Sequence, residues 1–286
     1  MTPKVHAFFD EATNTITYVV HDPASRAAAI IDPVLDFSPR NARISTASAD
    51  AVLDYVHAQG LDLRFVLETH AHADHLSAAH HIREKTGAPV VIGAHITDVQ
   101  TIFADLFEAD DVARDGSVFD RLVTDGDELP LGNFAIKVLH TPGHTPACVT
   151  YIIGDAAFVG DTVFMPDYGT ARAYFPGGDA RTLYRSIRKI LNLPKDTRLF
   201  TGHDYPPETR PTPAWEASVA DHRAANIHIH DGIDEAAFVA MREARDKTLA
   251  APLLILPSLQ VNIRAGNLPP ATPEGHVYLR LPVNAI

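Results

Sequence analysis

The sequence predicts an α/β protein of layered design. Two observations carry this. Short apolar strands alternate with amphipathic helical stretches from near the start of the chain to about residue 204, the order of strands that are covered by helices. Histidines and aspartates recur at the ends of several of those strands, where turns can gather along one edge of a layered structure. The 286 residues allow one large domain or a domain with an appendage, and a hydrophobic content of 46% is ample for a core.

Residues 5–9, 15–21 and 27–32 read as strands, the last an apolar run ended by Asp32-Pro33. Residues 34–48, rich in Ser, Asp, Arg and Pro, read as a loop. Asp50 to Gln59 carries a Val52, Leu53, Val56 stripe and is stopped by Gly60, which predicts a helix. Residues 63–68 form an apolar strand that runs into Thr69-His70-Ala71-His72-Ala73-Asp74-His75. A helical pattern from Leu76 to Thr86 follows and closes on Gly87, with Asp74 and His75 expected to begin it. His70 and His72 lie two apart, so extended backbone aims both to one side. Neutral imidazoles and a carboxylate on a rigid turn are what a divalent metal needs.

Farther on, 88–93 is a short strand, and Val99, Ile102, Phe103 and Leu106 are at helical spacing. The turn-rich stretch 125–133 suits hairpins. The alternating strand 134–140 leads to His144, while 148–153 and 156–159 form a hairpin through Gly154-Asp155 and end at Asp161. Residues 163–178 form a long loop of the kind that is usually functional. Asp179 caps a helix with a Leu183, Ile187, Ile190, Leu191 stripe. Strand 198–200 ends at Gly202-His203-Asp204-Tyr205. From about 206 the texture changes. Pro213 opens a helix through Trp215, Val219, His222 and Ala225, Asp234 caps another to about Leu249, and the Pro-rich end reads as extended. The tail histidines His222, His228, His230 and His276 read as surface residues, and Cys148 as a packed core thiol.

A net charge of −12 argues against a nucleic-acid partner. No apolar run is long enough for a bilayer, residues 1–6 do not lead into a signal-peptide core, and the single cysteine fits a reducing compartment. These features lead us to expect a soluble, cytoplasmic protein with no membrane partner.

Collected together, the strand-end residues are His70, His72, Asp74, His75, His144, Asp161 and His203. They suffice for two metal sites bridged by Asp161, and they also contain a two-histidine, one-carboxylate set of the kind that leaves open positions on ferrous iron. Spacing alone leaves both open. The succession HxHxDH, TPGH, GD and GHD is similar to the metallo-β-lactamase superfamily, which implies an αββα four-layer sandwich over residues 1–286, with a helical and extended C-terminal part from about 206. More narrowly, Ile31-Asp32-Pro33-Val34, Thr69 to Leu76, Thr141 to Pro146, the Arg172 loop, Gly202 to Tyr205 and Asn262-Ile263-Arg264-Ala265-Gly266 resemble the persulfide dioxygenases, including bacterial β-lactamase-hydrolase-like members. That resemblance implies one Fe(II) per chain, held by His70, His144 and Asp161, and the oxidation of glutathione persulfide by O2 to glutathione and sulfite. It makes His72, Asp74, His75 and His203 outer groups around a second site left empty. Homodimerisation stays open.

Glutathione has two carboxylates, for which an arginine fork is a natural clamp. Arg172 and Arg264 are therefore expected to bind substrate together with Tyr174 and Tyr205, and Tyr205 follows the GHD turn closely enough to reach a substrate at the iron. Tyr174 departs from the family pattern, which has an acid before Phe-Pro-Gly-Gly. Two other functions compete: a dizinc thioester hydrolase of the glyoxalase II kind, and a metal-binding member impaired by Tyr174.

Overall fold

The computed structural model describes residues 2–285. Its first half contains β1 (Lys4–Asp10), β2 (Thr15–His21), β3 (Ala27–Ile31), β4 (Val34–Ser38), β5 (Arg43–Ser45), α1 (Ala47–Ala58), β6 (Asp62–Leu67), β7 (Leu76–Ser77), α2 (Ala79–Thr86), β8 (Val90–Gly93), α3 (Ile96–Leu106) and β9 (Arg121–Val123). β1, β2, β3, β6, β8 and β9 form one sheet in that order. Its first two pairings are antiparallel, and the rest are parallel across helical crossovers. The second half contains β10 (Glu128–Leu131), β11 (Phe134–His140), β12 (Val149–Ile153), β13 (Ala156–Gly160), α4 (Ala180–Leu191), β14 (Arg198–Thr201) and β15 (Glu216–Ser218). These six strands pair in chain order, with only β13 and β14 parallel. Three helices complete the chain: α5 (Val219–Ala225), α6 (Glu235–Asp246) and α7 (Ile255–Asn262).

The side chains explain the layers. Ile16, Tyr18 and Ile31 of the first sheet pack against Leu129, Ile136, Tyr151, Phe158 and Phe200 of the second. Tyr18, Phe158 and Phe200 meet edge-on or stacked at 5.1–5.5 Å, and the Tyr18 hydroxyl donates to Thr201 O at 2.6 Å. On the outside, Val52, Val56, Ile82, Val99 and Phe103 cover the first sheet, and Leu183, Ile187, Val219 and Phe238 cover the second. Each fully buried side chain of this size contributes about 1.5–3 kcal/mol. The order helix, sheet, sheet, helix is the αββα sandwich that the motifs imply.

Four stretches differ from the sequence reading. Residues 34–48 hold a β hairpin, because β4 pairs with β7, Val34 opposite Ser77 and Leu35 opposite Leu76. That pairing takes Leu76 and Ser77 out of the helix, so α2 begins at Ala79 and Asp74 and His75 precede it. The helix expected from Pro213 starts at Val219, because residues 216–218 join β14 as an edge strand and Ser218 closes a capping box with Asp221. The extended tail contains α7, which tolerates Pro257 because the first turn leaves its N–H positions unbonded. Asp179 and Asp234 cap α4 and α6 as expected, accepting from Thr182 N and Ala237 N. Among the described residues, no helix is long and apolar enough to cross a membrane.

Two tail histidines are not on the surface. His228 is half-buried and its Nδ1 accepts from Thr170 N, while His222 is fully buried beside Asn226. Burial pulls His222 down to about 4. Below about pH 6.5 the unfolded chain therefore takes up a proton that the folded chain refuses, and stability falls with decreasing pH until about pH 4. The slope from this residue reaches at most about 1.4 kcal/mol per pH unit. His222→Gln should flatten that part of the curve in urea melts recorded between pH 7 and pH 4.

Candidate metal centre

The site is assembled from strand ends. His70 lies three residues past β6, His144 four past β11, Asp161 one past β13 and His203 two past β14. Asp32, at the end of β3, has a left-handed backbone with φ of 50°. Its carboxylate accepts from both Thr69 N and Thr69 Oγ1 at 2.7 Å, which pins the start of the histidine turn. The turn's far side is held by Asn262 at the end of α7. Its Nδ2 donates to His72 O and His75 O at 2.8 Å, and its Oδ1 accepts from Ser77 N at 2.8 Å. Gly160, with φ of 51°, lets β13 pass close beneath: a Cβ there would lie 2.5 Å from Thr69 Oγ1.

Backbone carbonyls set several ring orientations. His144 Nδ1 lies 2.8 Å from Arg172 O and His75 Nδ1 lies 3.1 Å from Leu76 O, so each donates there and presents Nε2. His70 Nδ1 is 3.0 Å from Thr69 Oγ1. Asp161 Oδ2 lies 4.0 Å from His70 Nε2 and 3.8 Å from His144 Nε2. Its Oδ1 is 3.4 Å from His203 Nε2, which is also 2.9 Å from Asp74.

These donors fall into three groups, each with ligand atoms within 4.8 Å of one another: His70, His144 and Asp161; His72, Asp74, His75 and His203; and Asp32, Glu68 and His72. His70 Nε2, both ring nitrogens of His72, His75 Nε2, His203 Nε2, Glu68 Oε2 and Asp161 Oδ1 are buried without a hydrogen-bond partner among the described residues. Buried polar atoms are rarely left in this state, and imidazole nitrogens with a carboxylate oxygen fit a divalent cation. The residues present therefore suit a metal.

Burial dominates the electrostatics. It pushes the His70 imidazole well below its ordinary value, with the neighbouring rings of His72 and His144 adding to the effect, and takes His75 down to about 3. Both are neutral and able to ligate at pH 7. Burial also lowers His203, but Asp161 and Asp74 outweigh it and bring that ring up to about 9. The Asp161 carboxyl is raised, mainly by burial. Cys148 is buried and its thiol is pushed up to about 12, so it is an inert core residue.

All seven expected donors come together. A cavity of about 390 Å³ opens over Asp74, His144 and Asp161, and Arg172, Tyr174 and Tyr205 line it. Tyr205 stacks on the His203 ring with centroids 5.8 Å apart, and burial keeps its hydroxyl protonated. Phe164 and Tyr168 extend this aromatic wall. Tyr174 stands at the rim, 81% exposed. Arg264 is a correction to the sequence reading. It is buried away from the cavity, with Nε and Nη2 each 2.7 Å from Asp111 and Nη1 donating to Gln260 O, so its fork is already filled. Arg242 and Arg245 also line the cavity, and with Arg242 paired to Asp246 it is Arg245 that sequence reasoning missed. The available signal was its position three residues after Arg242 on a predicted helix, which puts both on one face.

The Metallo-beta-lactamase superfamily matches residues 12–203. A probable metallo-hydrolase of Burkholderia pseudomallei is 53% identical over 99% of both chains. A beta-lactamase hydrolase-like protein of Xylella fastidiosa is 51% identical over the whole of this chain, which spans 66% of that protein. Glyoxylase B2 of Dictyostelium discoideum is 43% identical over 98% of this chain and 97% of its own. The mitochondrial persulfide dioxygenase ETHE1 of Homo sapiens is 33% identical over 69% of this chain and 66% of its own. Among solved structures, ETHE1 from Myxococcus xanthus superposes with a TM-score of 0.74 at 30% identity, covering 93% of this chain and all of that one.

His144→Ala removes one of three donors from the first group and leaves a ring-sized gap at a partly buried position. Metal analysis after anaerobic loading should show loss of at least about 90% of the metal held at this group, by the second-donor logic of such sites. Far-UV circular dichroism should stay unchanged, since His144 is on a turn outside both sheets.

Proposed function

Because the chain belongs to the metallo-β-lactamase superfamily, we propose that its centre is a mononuclear Fe(II) site that oxidises a persulfide of the glutathione type with O2. The observation that carries this is the three-member group His70, His144 and Asp161, two imidazoles and one carboxylate with His72 outside it. The similarity to proteins named ETHE1, at 33% identity in sequence and 0.74 in TM-score, supports it. The balanced reaction is GSSH + O2 + H2O → GSH + H2SO3, in which the outer sulfur is oxidised, O2 is reduced and the S–S bond breaks. When bound, iron supplies open coordination positions at which sulfur and O2 meet.

The chain's own residues do the rest. Arg172 O holds the His144 ring by its Nδ1, and Thr69 Oγ1 lies against the His70 ring, so both imidazoles are fixed before substrate arrives. Phe164, Tyr168 and Tyr205 form an apolar wall that limits water at the reacting sulfur. The protonated Tyr205 hydroxyl is a hydrogen-bond donor toward the cavity. Arg172 and Arg245 supply positive charge for the two carboxylates of glutathione. Arg245 has no ion-pair partner among the described residues, and Arg172 spends one N–H on Ala250 O at 2.7 Å. The intervening cavity wall of Leu249, Pro252 and Leu253 suits the aliphatic part of the same substrate.

A dizinc thioester hydrolase is the second reading. The adjoining His72, Asp74, His75, His203 group and the 43% identity to Glyoxylase B2 favour it. Protein purified without oxygen separates the two. The dioxygenase should hold about one iron per chain and take up O2 only when glutathione persulfide is added. About two zincs per chain, with hydrolysis of S-lactoylglutathione and no O2 uptake, would overturn the proposal.

The clamp is tested separately. Arg172→Ala and Arg245→Ala should each raise KM for the persulfide by about tenfold to a hundredfold, the equivalent of roughly 1.5–3 kcal/mol for a hydrogen bond to a charged group. Iron content should not change. Arg264→Lys should leave KM within about twofold, because its partner is Asp111.

A further inference from the structure

The mononuclear reading raises the question of what keeps the first group at three donors. His72 is close enough to be a fourth: its ring centroid lies 4.1 Å from that of His70. Three imidazoles with one carboxylate would make a closed tetrahedral set, the arrangement zinc prefers. Two imidazoles with one carboxylate leave the open positions that suit ferrous iron. The difference between the two sets is one ring.

That ring is held elsewhere. His72 Nε2 lies 3.1 Å from Asp32 Oδ1 and 3.2 Å from Glu68 Oε2, and all three residues are at most 3% exposed. None of them lines the cavity. Both carboxylates are themselves anchored. Asp32 is fixed by Thr69 N and Oγ1, and Glu68 accepts a hydrogen bond from Ser77 Oγ. The His72 ring is placed between these two buried carboxylates. With Nε2 turned toward these two carboxylates, the His72 ring does not join the group formed by His70, His144 and Asp161.

Resting on the mononuclear-iron reading, we propose that Glu68, together with Asp32, selects the metal by holding His72 out of the His70–His144–Asp161 donor set. Glu68 is the determinant that can be varied cleanly. Asp32 also anchors Thr69 from a left-handed backbone position, whereas the polar neighbours of the Glu68 carboxylate among the described residues are His72 and Ser77. Glu68 is a positioning residue: it acts on the metal through His72 and touches no substrate.

The test uses full-length metal-free wild type, Glu68→Gln, Glu68→Ala, and Glu68→Ala combined with His72→Ala. Each is loaded anaerobically with equal Fe(II) and Zn(II), desalted, and analysed for both metals. Each is also loaded with Co(II) alone, whose visible absorption strengthens on going to four-coordination. Glu68→Ala should raise the bound zinc-to-iron ratio by about tenfold or more and strengthen the cobalt bands. Glu68→Gln, which keeps an acceptor for Ser77, should move both in the same direction. Adding His72→Ala should return both to the wild-type pattern, a reversal that a general loosening of the fold would not produce. Unchanged ratio and cobalt spectrum in either single variant, with wild-type circular dichroism, would overturn the proposal. So would a metal equivalent in the wild type that disappears with Glu68, since Asp32, Glu68 and His72 would then be a metal site themselves. The wild-type content judges the dioxygenase reading on its own: two zincs and no iron would sink that reading, whereas the role of Glu68 is read from the difference between variant and wild type.

Discussion

The constraint on which the structure depends is the burial of donor atoms that the protein itself leaves unpaired. Ring nitrogens of His70, His75 and His203 and one oxygen of Asp161 lie inside the molecule without a hydrogen-bond partner among the described residues. Each such atom costs about 1–3 kcal/mol. A chain free to relax would turn these side chains outward to water. The surrounding structure prevents this by bracing every element that carries a donor. Asp32 grips Thr69 from the end of β3, Asn262 grips both His72 and His75 through their carbonyls, and Arg172 O fixes the His144 ring. Two sheets packed face to face give these braces a rigid base, since Tyr18 of one sheet bonds to Thr201 of the other just before the His203 turn.

The last third of the chain takes part in this bracing. α7 does not contribute a donor, yet Asn262 at its end closes the histidine turn, and Arg264 beside it is tied to Asp111. α6 acts on the other wall. The buried Arg242 bonds to Asp246 and to Thr170 O, and Asp246 in turn accepts from Ala173 N. The loop between Asp161 and α4 is thus fastened on both sides of Arg172, the residue whose carbonyl orients His144 and whose side chain faces the cavity. Ligand geometry and substrate wall share one support. A change in α6 therefore acts on both at once.

Charge is arranged on a similarly local scale. The chain is strongly acidic overall, at −12, and its cavity is nonetheless lined by Arg172 and Arg245 as well as by Asp74 and Asp161. Aromatic and aliphatic side chains, among them Phe164, Tyr168, Leu249 and Leu253, make up much of the rest of its lining.

The sequence by itself determined the layered fold and pointed to seven candidate donors at its strand ends, because these depend on local patterns: period-two alternation, helix stripes, caps at Asp179 and Asp234, and glycines at sharp turns. It also pointed to the tail motif around Asn262, though not to what that residue does. Only the tertiary structure decided the rest, because the deciding interactions are long-range. β4 and β7 exist through pairing across some forty residues, and that pairing moves the start of α2 past His75. Burial of His222 and the filling of the Arg264 fork by Asp111 follow from contacts that no local window contains. The same holds for His72: its place in the HxHxDH motif makes it look like one donor among equals, and the two buried carboxylates beside it, brought there from β3 and the end of β6, set it apart.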